Sequence, residues 1–177
     1  MRRLFGPFAA LLVAAVAGHG LTLHFAPAVI MERAMAALEA RGVALHAFTA
    51  PQRVTPQTQQ VVRSSPDLYY ALCRYDLAGT GAALRVAMAE WPDYQSLAFF
   101  DARTDNFATL RGTGKAVAVR LLAPGSAPQA GAIISPTSTG VVLIRRLAPD
   151  AERFAAAARA AKGDACRLEA PGAAARP

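Results

Sequence analysis

The chain has 177 residues, of which 54% are hydrophobic and 18% are charged, and it contains three histidines and two cysteines. A chain this apolar is neither disordered nor fibrous, and so few histidines and cysteines exclude a zinc ribbon, an iron–sulfur cluster and a disulfide-dense scaffold. The formal net charge of +7 is spread thinly, on strand-like runs that include Arg85, Arg120 and Arg145. We therefore predict solvated strand faces and no nucleic-acid partner.

The N-terminal segment has the composition of a transmembrane helix. Arg2 and Arg3 precede 22 residues, 4–25, that include no Asp, Glu, Lys or Arg. As a helix this run would be about 33 Å long, which is enough to cross a bilayer. Because positive residues stay on the cytoplasmic side, we predict a single-pass anchor over residues 1–26 with the rest of the chain outside the cytoplasm.

A cleavable signal peptide is the competing interpretation of this segment. Ala15–Ala17 forms an A-x-A cleavage box after an apolar core of suitable length. The apolar run resumes beyond the box as far as Met31, which a signal peptide does not need, so the uncleaved anchor is favoured. His19 and His24 lie inside the run, and we interpret them as polar residues near the outer interface rather than as a proton relay.

Residues 27–58 are predicted to form a juxtamembrane helix and a linker. Apolar side chains recur at helical spacing from Ala28 to Ala40, and Gly42 is a suitable stop. The composition then changes to Thr, Gln and Pro over residues 47–58, which is typical of a linker.

From residue 59 the apolar period changes from that of a helix to two. Alternation over 84–89 and 117–121, and short turn signals between such runs, predict six to eight short strands. The expected fold is mainly β, an antiparallel β-sandwich or jelly-roll-like domain over residues 59–168. A helix over 151–162, with Asp150 as its N-cap, closes this domain, and a disordered tail over 169–177 follows.

The strand region lacks a recognisable catalytic motif. Ser-His-Asp and Cys-His catalysis need a histidine beside the nucleophile, and only His46 lies outside the anchor, before the strands. We predict no metal centre and no cofactor. Paired carboxylates for carbohydrate hydrolysis stay open as an alternative, although aspartate is also a common turn residue. The candidates are Asp76, Asp93, Asp101 and Asp105.

Residues 99–107 form the most distinctive stretch. Asp101, Asp105 and Asn106 could bind calcium, but the spacing is not that of an EF-hand loop, so an Asx-stabilised corner is favoured and Asp105 is expected to hold it. Eight of the 13 aromatic residues fall between residues 69 and 107. They could line a glycan or lipid groove, but the hydrophobic core is the commoner place for such residues.

The two cysteines form an even pair in a domain that we expect to be exported. An oxidising compartment favours a disulfide between Cys73 and Cys166, whereas two unrelated buried thiols are the alternative. The predicted bridge would hold the C-terminal helix against an early strand.

Several short motifs together resemble one known family. They are VVRSSPDLYY at 61–70, YDL at 75–77, WPDY at 91–94, FDARTDNF at 100–107, SP at 135–136 and VLIRR at 142–146. In this order they resemble the short, membrane-anchored members of the domain of unknown function 1254 family. We take as candidate binding positions Tyr69, Asp76, Trp91, Tyr94, Asp101, Thr104, Asp105, Asn106, Arg145 and Arg146.

The resemblance implies a β-rich module of the bacterial cell envelope. It places the chain in the inner membrane through one helix, with the C-terminal domain in the periplasm. Long members of the family carry a second domain, of the unknown-function 1214 family, so a companion protein with that domain is an expected partner. The family has no established reaction, so the expected role is to bind a partner protein, a glycan or a lipid. The alternative is an envelope carbohydrate hydrolase or transferase that uses paired aspartates.

Overall fold

The computed structural model describes residues 2–53, 55, 64–112 and 114–169. The fold is mainly β, as predicted, with two four-stranded sheets, a long N-terminal helix and a short helix near the C-terminus. Three sequence predictions lie partly or wholly outside the described residues. They concern the linker at 54 and 56–58, the motif residues 61–63 and the tail from residue 170.

Helix α1 spans Arg2–Ala40. The predicted anchor and the predicted juxtamembrane helix are therefore one continuous helix, with Pro27 inside it. Residues 6–25 are all exposed, whereas Met31 is buried and Met35 and Leu38 are half-buried. These three residues recur at helical spacing, so only the second part of α1 has a face packed on the rest of the chain.

Helix α1 ends at a glycine, as predicted. The N–H of Gly42 donates to Glu39 O at 2.8 Å and the N–H of Val43 donates to Leu38 O at 3.0 Å. Gly42 has a φ of 78°, a left-handed conformation that glycine adopts without a steric penalty. Together these bonds form a Schellman motif, which satisfies carbonyls at the helix end and turns the chain back.

The chain after Gly42 runs along the first strand instead of leaving as a free linker. Thr49 and Leu72 exchange backbone hydrogen bonds of 2.8 and 2.9 Å. The N–H of Asp76 donates to His46 Nε2 at 3.1 Å. The part of the predicted linker nearest the helix is therefore attached to the edge of a sheet.

Eight strands follow in the described residues: β1 (Leu68–Asp76), β2 (Ala83–Met88), β3 (Gln95–Asp101), β4 (Asn106–Gly112), β5 (Val117–Leu122), β6 (Ala132–Ile134), β7 (Thr139–Leu147) and β8 (Ala165–Glu169). Sheet A has the order β1-β7-β3-β4 and is antiparallel. Sheet B has the order β6-β5-β2-β8, in which β5 and β6 are parallel and the other pairs antiparallel.

The core lies between the two sheets. Alternate residues of β1 are buried, and the same alternation in β2 turns Leu84, Val86 and Met88 inward. These side chains join Phe99 and Val142 of sheet A in one buried cluster. The two-residue alternation that predicted the strands therefore arises because successive side chains point to the core face and to the outer face of a sheet.

Helix α2 (Ala151–Ala160) covers one end of this core. The Asp150 carboxylate accepts a hydrogen bond of 2.7 Å from the N–H of Arg153, so Asp150 is the N-cap that the sequence predicted. The α-helix ends two residues earlier than expected, in a 3₁₀ turn over Ala161–Gly163. The ring of Phe154 packs on Tyr69 with 5.2 Å between centroids.

A disulfide joins Cys73 to Cys166, as predicted, with 6.5 Å between the Cα atoms. Cys73 lies in β1 and Cys166 in β8, so the bridge connects an edge strand of sheet A to an edge strand of sheet B. Strand β8 was missed in the sequence, although Cys166 and Leu168 alternate there with charged residues. Glu169, assigned to the tail, is the last residue of this strand.

Candidate functional site

The predicted site residues separate into two groups at opposite ends of sheet A. Tyr69 pairs with Arg146 at one end, whereas Asp76 pairs with Thr139 at the other. Tyr69 and Asp76 are seven positions apart along β1, a distance of about 23 Å. The Arg146 end holds Tyr69, Trp91, Tyr94, Arg145 and Arg146, and the corner end holds Asp76, Asp101, Thr104, Asp105 and Asn106. The two groups therefore cannot line a single small groove.

A fully buried ion pair lies at the centre of the Arg146 end. The Arg146 guanidinium donates to both carboxylate oxygens of Asp164, at 2.8 and 2.6 Å, and neither side chain is exposed. Its Nε donates to Gln95 Oε1 at 3.2 Å, and the N–H of Ala89 donates to Asp164 Oδ1 at 2.8 Å. Asp164 and Gln95 were not predicted as partners. A buried pair with its hydrogen bonds made within the protein is suited to holding the fold rather than to receiving a ligand.

Tyr69 and Trp91 are core residues. Burial, with the negative charge of Asp164 as the second cause, raises the pKa of Tyr69. Trp91 is buried beneath the guanidinium of Arg153, 5.7 Å from the ring centroid, and Arg153 also forms an ion pair with Asp93. The interpretation of the aromatic residues as core holds at these two positions.

The other two residues of the Arg146 end are more open. Tyr94 is 47% exposed and its hydroxyl donates to Ser96 Oγ at 3.1 Å. Arg145 is half-buried and neighbours Arg146 in β7, so it lies on the opposite face of sheet A. Arg145 and Arg146 therefore do not act on one common ligand.

At the corner end, Asp101 holds the turn between β3 and β4. Its carboxylate is nearly buried and accepts hydrogen bonds from the N–H groups of Arg103, at 2.7 Å, and Asp105, at 3.0 Å. Thr104 has a φ of 68°, the left-handed conformation that completes the turn. Asp105 accepts from the N–H of Asp101 through its backbone carbonyl, at 3.1 Å. The corner expected around Asp105 is thus held by the side chain of Asp101.

The calcium alternative has little geometric support. The Asn106 amide oxygen accepts a hydrogen bond of 2.9 Å from Thr109 Oγ1, and the Asp101 carboxylate is engaged in the corner. Across the described ranges, no three or more His, Cys, Asp or Glu side chains are grouped so as to hold a metal ion. These contacts favour the Asx corner.

Tyr75 is the buried tyrosine of the corner end. Its hydroxyl lies 2.9 Å from Ser135 Oγ and 3.3 Å from Phe100 O, and its single hydrogen can be donated to either oxygen, while Ser135 Oγ donates to Thr137 O at 2.6 Å. Burial raises the pKa of Tyr75 to about 12. Gly140 lies against this hydroxyl, and a Cβ atom there would overlap it. These contacts connect β1, β3 and the loop between β6 and β7.

Three of the four aspartates weighed as catalytic carboxylates form side-chain contacts within the fold, at both ends of sheet A. Asp93 lies near the Arg146 end, where it pairs with Arg153. Asp76 and Asp101 are in β1 and β3, which are separated by β7, so their backbones are about 10 Å apart. The Asp76 carboxylate accepts from the N–H of Ala78 at 2.8 Å, and that of Asp101 holds the corner. Turn stabilisation explains these side chains better than hydrolysis does.

The fold also assembles a group of arginines that sequence reasoning missed. Arg85 of β2 is directly opposite Arg120 of β5 on one side and Arg167 of β8 on the other. We call Arg85, Arg120 and Arg167 the arginine row. In the sequence they are separate residues of polar strand faces, and only the strand register makes them neighbours.

Comparisons with known proteins agree with this fold. The sequence profile of a family described as protein of unknown function (DUF1254) matches residues 46–167, well over half of the chain. The chain belongs to the DUF1254 family. The motifs that resemble this family, from residue 61 to residue 146, all lie within the matched range.

Two solved structures resemble this DUF1254 protein. The VPA0106 protein from Vibrio parahaemolyticus has a TM-score of 0.59 and 12% identity, over 86% of this chain and 40% of that one. A putative uncharacterized protein from Burkholderia cenocepacia has a TM-score of 0.47 and 15% identity, over 71% and 34% of the two chains. At such identities the first likeness establishes the fold alone. This DUF1254 chain spans less than half the length of either protein, and no curated protein matches its sequence.

Proposed function

We propose that this DUF1254 protein is a non-catalytic binding or accessory module of the bacterial cell envelope, tethered to the inner membrane by α1 and placed in the periplasm. The observation that carries the proposal is the division of α1 into two parts. Residues 6–25 are exposed throughout, and residues 26–38 present a packed face to the sandwich.

The exposed part of α1 matches a bilayer in length and character. Its 20 residues, 6–25, form a helix of about 30 Å, the thickness of the hydrocarbon core. Large apolar side chains on this part lie open on all sides, among them Phe8, Leu12 and Val16. Such a surface is unfavourable in water and favourable in lipid. The apolar helix Gly6–Ala40 is long enough to cross a membrane.

The contacts between α1 and the sandwich support a position of the corner end beside the membrane. Arg103, at the corner end, donates to the carbonyl of His24 at 3.0 Å. Further along, Arg74 pairs with Glu39 at 3.2 Å and donates to Val43 O at 2.9 Å. If residues 6–25 fill the bilayer, the corner end lies at the outer membrane interface. Arg2 and Arg3 then remain in the cytoplasm and the sandwich in the periplasm.

The non-catalytic part of the proposal rests on how the polar side chains are used. The carboxylates of Asp76 and Asp101 stabilise turns, and the Arg146–Asp164 pair is closed to solvent. A companion protein with the unknown-function 1214 domain is the proposed partner. The matched part makes up 40% of the length of the Vibrio protein, which leaves room in that protein for a further domain.

Membrane extraction tests the anchor. The full chain should resist alkaline carbonate extraction from bacterial membranes, and the Leu12→Arg/Val16→Arg variant should be released because two charges in a bilayer are costly. Leu12→Ala/Val16→Ala is the matched control and should stay in the membrane. A mature N-terminus at Gly18 would contradict the uncleaved anchor, and a C-terminus protected from protease in intact spheroplasts would contradict the orientation.

Chemical crosslinking in intact membranes tests the accessory role. We expect a protein with the unknown-function 1214 domain to be crosslinked and identified by mass spectrometry. Turnover of purified envelope carbohydrate by the wild-type chain, abolished in Asp76→Asn or Asp101→Asn, would contradict the non-catalytic role and support the hydrolase alternative.

A further inference from the structure

We propose that the arginine row is a binding site for the phosphate group of an anionic ligand. The arginine row lies on the outer face of sheet B, and phosphate binding there does not depend on whether α1 spans a membrane. Three observations carry it: the alignment of like charges, an unsatisfied buried nitrogen on Arg120 and a recess beside that residue.

The alignment of like charges is unfavourable for the fold alone. Arg85 faces Arg120 and Arg167 at directly paired strand positions, with about 5 Å between neighbouring strands. Like charges directly opposite one another destabilise a sheet. Glu169 offsets this in part, through ion pairs of 3.8 Å with Arg85 and 3.6 Å with Arg120. One carboxylate against three guanidinium groups leaves two positive charges on the row.

Arg120 is held in place, and one of its donors makes an ion pair but no hydrogen bond in the described residues. Its Nη1 donates to Gln129 Oε1 at 2.9 Å, which fixes the orientation of the guanidinium. Its Nε is buried without a hydrogen-bond acceptor, because the nearest Glu169 oxygen is 3.6 Å away. A buried donor left unsatisfied is costly, and a phosphate oxygen is a strong acceptor for guanidinium N–H groups.

A recess of about 200 Å³ opens beside Arg120. Gln129 and Ser126 supply polar groups to its lining, and Gly81 and Leu122 form part of its wall. The volume equals that of roughly six or seven water molecules, so a phosphate group with a small substituent can enter it. Neighbouring outward positions in the sheet carry alanines, Ala87 and Ala118, whose short side chains leave the row uncovered.

The chemistry of the row favours phosphate over other classes of ligand. Guanidinium groups bind phosphate in a planar, bidentate manner, and several adjacent ones share the charge of one group. The phosphate could belong to a soluble compound or to a lipid headgroup. Arg85 is two residues from the start of β2, near the turn that follows Asp76, so the row lies toward the corner end of the sandwich.

Titration of the full chain with inorganic phosphate tests the site. In neutral detergent, phosphate should raise the unfolding temperature, followed by the fluorescence of Trp91, more than sodium chloride does at the same ionic strength. Arg85→Gln and Arg120→Gln should each lose most of this shift. Arg111→Gln, an exposed arginine of β4, is the matched control and should retain it.

A second variant separates phosphate binding from a purely structural role of the row. Glu169→Gln removes the carboxylate that competes for Arg85 and Arg120, so it should lower stability without ligand and increase phosphate affinity several-fold. A merely structural ion-pair network predicts the loss of stability without the gain in affinity, and that result would overturn the proposal. Equal shifts with phosphate and chloride in the wild-type chain would also overturn it.

Reconstitution identifies the source of the phosphate. The chain is placed in phosphatidylcholine vesicles with and without phosphatidylglycerol. Stabilisation that requires phosphatidylglycerol and is lost in Arg120→Gln supports a lipid headgroup, and a response to inorganic phosphate alone supports a soluble ligand. The absence of both responses contradicts the site.

Discussion

At the residue scale, the side chains that resemble functional groups are mostly engaged in holding the fold. Arg146 and Asp164 are fully buried, and their charges are tolerated because each guanidinium and carboxylate contact is made inside the protein. Burying two charges is expensive, so such a pair contributes little net stability while removal of one partner leaves the other uncompensated.

We expect Asp164→Asn and Arg146→Met each to lower the free energy of unfolding by about 3–5 kcal/mol. The double variant Arg146→Met/Asp164→Leu should recover a large part of that loss, since no unpaired charge then remains. Chemical denaturation followed by the fluorescence of Trp91, which is the only tryptophan, measures both effects. Strictly additive losses in the double variant would contradict this account of the pair.

Tyr75 is the residue from which a pH dependence can be argued. Its pKa is raised to about 12, chiefly by burial, so the folded chain holds the phenolic proton more tightly than the unfolded chain does. The corresponding stability is present below pH 10 and is lost as the pH rises toward 12. The loss amounts to about 2–3 kcal/mol for two pKa units.

Tyr75→Phe should reduce this alkaline loss of stability, since the phenolic proton is absent. At neutral pH the same variant should cost about 1 kcal/mol for the one hydrogen bond that the Tyr75 hydroxyl donates, to Phe100 O or to Ser135 Oγ. Part of the alkaline decline should remain, because the pKa of Tyr69 is raised as well. An unchanged decline above pH 10 in the variant would show that Tyr75 is not its source.

At the scale of elements, the disulfide and the helix end determine how the sheets are closed. The bridge joins β1 and β8, the edge strands on one side of the sandwich, while β4 and β6 are the edge strands on the other. The sheets are therefore joined covalently at β1 and β8, and not at β4 and β6. The connection spans 93 residues of chain, so it restricts the unfolded state strongly.

Replacing both cysteines, Cys73→Ser/Cys166→Ser, should lower the free energy of unfolding by about 2–5 kcal/mol, because the loop in the unfolded chain is no longer closed. Denaturation of the wild-type chain with and without reductant gives an independent value that should agree. Mass spectrometry of the non-reduced protein is the direct check. Alkylation of both cysteines without prior reduction would disprove the bridge.

At the scale of the whole molecule, the two parts of α1 differ in their contacts with the sandwich. Residues 6–25 expose apolar side chains in every direction, and Met31 and Val43 are buried near the sandwich. The ion pair between Glu39 and Arg74 adds a polar contact between helix and β1. The second part of α1 thus belongs structurally to the sandwich, and the first part does not.

Two truncations should separate these roles. Removal of residues 2–25 should give a chain that is soluble without detergent and unfolds at nearly the same denaturant concentration as the full chain. Removal of residues 2–42 should lower the free energy of unfolding by about 2–4 kcal/mol, because the buried Met31 and its contacts are lost. Equal stability of the two truncated chains would refute a structural role for residues 26–42.

The helices and strands of this protein, and its fold class, follow from local patterns in the sequence. Three local patterns show this. The uncharged run over 4–25 indicates the apolar helix, the glycine at position 42 indicates the end of that helix, and the alternation of Leu84, Val86 and Met88 indicates a strand with one buried face. Each depends on side chains a few residues apart, which is why the apolar helix, the strands and the fold class could be predicted. The cysteine pair was predictable because only one intramolecular pairing exists for two cysteines.

The contacts between distant residues depend on the whole folded chain. Arg85, Arg120 and Arg167 became neighbours through the register of three strands, and Asp164 reached Arg146 through the turn before β8. Register and the packing of one sheet on another depend on the whole core, and no short stretch of sequence encodes them. From the sequence, Asp105 was expected to hold the corner, because either aspartate suits such a turn. In the folded chain the Asp101 carboxylate accepts the hydrogen bonds of the turn instead.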